Sequence, residues 1–151
     1  VGVSLETYFG SSGMDVSAMK MGLKMRIEQE GLPSGNLDMI YNTRLSQELA
    51  KWAETKETTE DIHMLLYKAY FVDNHNLSDI DYLVTIAEKA DLQGDEAREV
   101  LEKRTMKNLI DEDWSLSREM GITGVPTFLV GKQAVVGFQP YEALDQLIKN
   151  I

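Results

Sequence analysis

Cysteine is absent from all 151 residues. These residues can form no disulfide, hold no thiolate nucleophile and offer no thiolate to a metal. The absence says nothing of redox compartment, because there is no thiol to be kept reduced or oxidised. Long apolar runs are missing too. No stretch approaches the roughly 18 residues that would read as a membrane-spanning helix. Positive charge is scarce: 15 Lys and Arg stand against 25 Asp and Glu, giving a net charge of −10. Such a surface repels phosphate backbones and anionic lipid, so neither nucleic acid nor a membrane is an expected partner. No charged-then-apolar leader is visible in the sequence.

What is present is ordinary globular material, 43% hydrophobic, at a length that suits one domain or one domain with a lobe inserted. Ser4 is placed to cap a short helix from Glu6 to Phe9, and the GSSG at 10–13 breaks it. Asp15 is the next cap. It precedes two apolar rows, Met14, Ala18, Met21 and Met25 on one and Val16, Met19, Leu23 and Ile27 on the other. A helix apolar on two faces is expected to be deeply buried or to lie at an interface. It should end near Gly31, before Pro33. A connector with an apolar run from Met39 to Tyr41 follows. Asn42 or Thr43 then caps a helix carrying Leu45, Leu49, Trp52 and Ala53. Thr59 opens a helix with Ile62, Leu65, Leu66, Ala69 and Tyr70 at helical spacing. Ser78 caps one with Ile80, Leu83, Val84 and Ala87, with Asp81 at the third position. Two more helices are expected, over about 95–103 and 105–120.

The pattern then changes. Thr127 to Val130 and Gln133 to Gly137 read as strands, and Gly131-Lys132 between them is a hairpin turn signal. Pro140 stands at the start of a last helix lined by Tyr141, Leu144, Ile148 and Ile151. The expected organisation is therefore a helical region, 1–120, followed by strand, turn, strand and helix over 121–151. A two-stranded hairpin is marginal alone, and its inner strand presents an unpaired edge. Another chain, a second copy or an absent N-terminal part should supply the pairing.

The segment GITGVPTF, 121–128, followed by two strands and then Gly137-Phe-Gln-Pro140, resembles the C-terminal part of the DsbA-like thioredoxin family, with the FrnE-type branch nearest. Asn42-Thr43, Trp52-Ala53, Ala69-Tyr70-Phe71 and Leu77-Ser78-Asp79 look like that branch's inserted helical domain. The likeness covers essentially the whole chain. It implies an α/β, mostly helical protein: a thioredoxin-like DsbA fold with a helical insertion, here lacking the N-terminal strand–helix–strand unit that bears Cys-x-x-Cys, about 50–60 residues. It also implies a cis Val125–Pro126 bond, and a binding site for an extended peptide at Val125, Pro126 and Thr127, where backbone groups pair with the substrate as with an added strand. The alternative is that Pro126 only ends a turn and starts an edge strand.

In the family the activity is thiol–disulfide exchange by a depressed-pKa thiolate. No Ser, Thr or Met replaces that thiolate, so no catalytic residue and no cofactor are expected here. The expectation is an inactive or incomplete oxidoreductase relative, or a non-catalytic protein that binds a peptide or partner or forms a homodimer. A glutathione-dependent isomerase is a minor alternative. The FrnE-type resemblance implies a cytoplasmic location.

Other chemistry-bearing residues read more plainly. Met19, Met21 and Met25 could bind Cu(I), but they do not share a helix face, and methionine fills irregular cores and interfaces. A Met-rich peptide groove is the other reading. His63 and His75 have no second ligand at zinc spacing. DNHNLSD at 73–79 lacks the glycine and terminal glutamate of a calcium loop and reads as a turn with a cap. The acids of IDEDW at 110–114 read as a solvated helix face, and Trp52 and Trp114 as core. No metal site is expected.

Overall fold

The computed structural model describes residues 2–10, 13–56 and 61–149. The chain divides into two compact units, Val1–Ile110 and Asp111–Ile151.

The first unit opens with a very small antiparallel ladder. Strand β1, Val3–Ser4, pairs with β2, Met39–Ile40, in the register Val3 to Ile40 and Ser4 to Met39. Helix α1, Leu5–Phe9, follows directly, its N-terminus capped by Ser4 Oγ, which accepts the Thr7 N–H at 3.1 Å. Helix α2 spans Val16–Gln29, and the Asp15 carboxylate accepts the Ala18 N–H at 2.9 Å. It stops at Gly31, whose φ of 70° lets Leu32 N–H reach back to the Ile27 carbonyl at 3.1 Å and Gly31 N–H to that of Glu28 at 3.0 Å.

Four helices make the core of this unit: α3 Arg44–Ala53, α4 Ile62–Tyr67, α5 Ile80–Lys89 and α6 Gly94–Lys103. Their apolar stripes meet, and Leu49, Trp52, Leu66, Leu83, Ile86 and Leu101 are buried together. Burial of this kind is the main stabilising contribution, roughly 1.5–3 kcal/mol for each large aliphatic side chain. Between α4 and α5 the helix widens. Lys68–Val72 forms a π-helical turn, in which Asp73 N–H reaches five residues back to the Lys68 carbonyl at 3.0 Å.

The structure corrects several expectations. Thr59 lies outside the described residues, and the cap of α4 is Asp61, which accepts from His63 and Met64 N–H. Ala69 and Tyr70 do not continue α4 but belong to the π-helical turn. Asp79, not Ser78, caps α5; the Ser78 hydroxyl is engaged by Asn76 Oδ1 at 2.6 Å, one residue too early to reach the helix. The Met39–Tyr41 run contributes two residues to a strand, too few to show a period of two. Of the two readings of helix α2, deep burial is excluded: only Val16 is buried, while Met21, Leu23 and Met25, and Met14 ahead of the helix, are exposed. Trp52 is core, but Trp114 is 50% exposed.

The second unit is smaller. Helix α7, Lys107–Glu119, runs into it, and β3 Thr127–Val130, β4 Gln133–Val136 and α8 Tyr141–Lys149 complete it. Strands β3 and β4 pair antiparallel from Thr127–Val136 to Val130–Gln133. Gly131, at φ 61°, makes the two-residue turn. Pro140 starts α8, and its carbonyl accepts the Ala143 N–H at 3.0 Å. Ile151 lies outside the described residues. Apolar side chains remain uncovered on this unit, among them Leu129, Val136, Phe138, Tyr141 and Ile148.

Candidate functional site

The site begins where α7 ends. Gly121, at φ 72°, closes the helix: its N–H bonds to the Arg118 carbonyl and Ile122 N–H to that of Ser117, both at 3.0 Å. This paired bond pattern stops the helix sharply and turns the chain into the segment 122–127. The segment is held at two points. The Thr127 hydroxyl donates to the Gly124 carbonyl at 2.6 Å, and Gly137 N–H donates to the Pro126 carbonyl at 2.8 Å. A Cβ at Gly124 would sit 3.3 Å from a Val136 methyl, so glycine lets the loop lie close on β4. The Val125–Pro126 peptide bond is cis.

Val125 is 89% exposed. Among the described residues neither its N–H nor its carbonyl makes a hydrogen bond. Pro126 is exposed as well, and Thr127 is half-buried at the head of β3. Strand β3 has β4 as its neighbour on one side and no strand on the other among the described residues. The three residues singled out from the sequence therefore lie together at the open end of an edge strand. The segment 121–127 carries no ionisable side chain. Its chemistry is limited to backbone hydrogen bonding and apolar contact; it can hold a chain but cannot exchange a proton with it.

Acid–base groups elsewhere do not converge on a reaction centre. Among the described residues no group of three or more His, Asp or Glu side chains could hold a metal ion. His63 Nε2 lies 3.7 Å from Glu54 Oε1 on an exposed face. His75 stacks on Tyr82 at 4.0 Å between ring centres, and burial, aided by the Asp73 charge, raises the Tyr82 pKa. Asp111, Glu112 and Asp113 are solvent-exposed.

The strongest electrostatic feature escaped sequence reasoning. Glu48 is fully buried, yet it sits on α3 among charged neighbours that suggest an outer face. Arg104 clamps it with two bonds, Nε to Oε2 at 2.8 Å and Nη2 to Oε1 at 2.6 Å, and Arg44 Nε approaches at 3.4 Å. The bond from Arg104 holds the Glu48 carboxyl below its ordinary pKa, against the opposing effect of burial. Arg104 takes a left-handed backbone, φ 54°, at the end of α6. The available signal was position: Glu48 follows Arg44 by one helical turn, directly before Leu49.

A family model described as the DSBA-like thioredoxin domain matches residues 10–149. Over 144 residues the chain is 27% identical to the uncharacterized protein YwbO of Bacillus subtilis (strain 168), an alignment covering 95% of this chain and 68% of that protein. No helix among the described residues is long and apolar enough to cross a membrane.

Proposed function

The chain belongs to the DSBA-like thioredoxin family, and from that premise we propose that it binds an extended polypeptide along Val125, Pro126 and Thr127 without carrying out thiol–disulfide exchange on its own residues. One observation supports this reading above the others: Val125 is almost fully exposed at the head of β3, and among the described residues neither of its peptide groups makes a hydrogen bond. An extended peptide laid there would gain main-chain hydrogen bonds as an added strand does. The exchange chemistry associated with FrnE-type relatives requires a thiolate attacking a substrate disulfide. These 151 residues hold none, so any redox step would need a thiol from outside them. On the FrnE-type resemblance we take the cytoplasm as the compartment.

Photo-leucine in place of Val125 provides the test. Irradiated with an unfolded peptide, it should give an adduct, while the same label at Lys132 in the hairpin turn should give little. Equal labelling at the two positions would sink the peptide reading.

A second reading rests on the two-stranded sheet with exposed Leu129, Val136 and Phe138. Exposed apolar patches beside an open strand edge mark association sites. A second copy, or a partner that supplies strands, would cover them. Sedimentation across a concentration series distinguishes self-association from a monomer.

A further inference from the structure

Helix α2 is closed at both ends, by the Asp15 carboxylate at its start and by Gly31, φ 70°, after its last turn. Positions four apart on such a helix stand one above the other, with Cβ atoms about 5–6 Å apart. Met21 and Met25 are such a pair, 64% and 53% exposed. Core filling is the ordinary reason for a methionine. It does not apply to these two, because Val16 alone of this helix is buried. Met19 lies off their row; it is half-buried and lines an apolar cleft with Leu5, Ile27 and Phe71. The fold thus sorts the methionines of MKMGLKM, 19–25, into one that packs and two that share an exposed face. Long side chains on a helix lean toward its N-terminus, so Met25 leans over Gly22 and Met21 over Ala18, both small. A Cβ at Gly22 would meet nothing within 4 Å, so the surface beside the pair is open.

We propose that Met21 and Met25 form a thioether site for a single soft cation, Cu(I). Thioether sulfur is a soft, uncharged donor and selects Cu(I) over hard cations such as Mg²⁺ and Ca²⁺. Cu(I) accepts low coordination, so two sulfurs suffice, with the rest of its sphere open to solvent. The chain has no cysteine, and so no thiolate that would draw the ion elsewhere. Its net charge of −10 favours a cation at the surface. Two cationic side chains of the helix are already engaged, Lys20 by Asp38 and Lys24 by Glu28 at 3.9 Å. Met14, 47% exposed, precedes the Asp15 cap and lies outside the pair. The site needs neither the head of β3 nor a bound peptide, so it stands or falls apart from the reading above.

The test sets the whole chain against a colorimetric Cu(I) chelator, with copper kept reduced by ascorbate under anaerobic conditions. The unaltered protein should withhold one ion per chain. Met21→Leu and Met25→Leu keep the apolar bulk and remove the sulfur, and each should surrender the ion to the chelator. Met14→Leu should withhold it as the unaltered protein does. No ion withheld by the unaltered protein, or equal withholding by all four proteins, overturns the proposal. So does a loss in Met14→Leu as large as in Met21→Leu, which would mark a nonspecific coat of thioethers. Methyl-labelled methionine gives a readout that needs no variant. With Ag(I), a redox-stable substitute, the Met21 and Met25 methyl signals should move together and saturate at one equivalent. If neither moves, or if all methionine signals drift without saturation, the site does not exist.

Discussion

At the scale of single residues, two side chains test the physical reasoning. The Thr127 hydroxyl bond to the Gly124 carbonyl holds the loop against β3. Thr127→Val keeps the shape and removes the bond, so unfolding free energy should fall by about 1 kcal/mol, read by urea denaturation. Glu48 and Arg104 form the larger contribution. Breaking a fully buried pair costs about 3–5 kcal/mol. Arg104 is 40% exposed, so water moderates the loss, and Arg104→Met should cost about 2–3 kcal/mol. The pH dependence has a definite sign. The folded-state pKa of Glu48 lies below its ordinary value, so its contribution is fully present above the unfolded glutamate pKa of about 4.3 and is lost as pH falls through the folded value. Glu48→Gln should flatten that part of the acid limb of stability, measured by circular dichroism during acid titration; an unchanged limb would show that Glu48 does not contribute. None of this was legible in the sequence. A glutamate one turn after an arginine reads as a surface pair, and only the fold brings Arg104 from 56 positions away.

At the scale of elements, legibility followed length and local chemistry. The β3–β4 hairpin could be read because each strand has four residues and the turn offers glycine at a position needing positive φ. The ends of α2 and α7 could be read from Gly31 and Gly121 for the same reason. Gly121→Ala should destabilise by about 1 kcal/mol, seen as a lower thermal midpoint, because the cap needs a left-handed residue. Two-residue strands carry no period, so β1 and β2 were invisible. The cap of α5 was misplaced by one residue because Ser78 and Asp79 both favour caps, and only the hydrogen bonds decide which is free to serve. The two apolar rows of α2 were visible. What they could not reveal is that Val16 alone of the helix is buried, while members of both rows, Met21 and Met25 on one and Leu23 on the other, stay exposed.

At the scale of the whole chain, the buried core and the head of β3 lie in different units. The buried core lies in the helical unit, where α3 to α6 meet. The hairpin unit leaves apolar side chains exposed and, among the described residues, a strand edge without a neighbour. The candidate site was legible because Val125, Pro126 and Thr127 are neighbours in sequence and resemble a known element as a block. The cleft lined by Leu5, Met19, Ile27, Leu37 and Phe71 in the helical unit was not, because these residues come from separate stretches of the chain. Across 151 residues without cysteine, a turnover assay with a dithiol and a disulfide substrate should show no rate above buffer. The most direct measurement is an amide chemical-shift titration of isotopically labelled protein with an unfolded peptide. Peptide pairing at the head of β3 predicts saturable shifts at Val125, Thr127 and the β3 amides. Saturable shifts that leave Val125 and Thr127 unmoved, or no shifts at all, would contradict it.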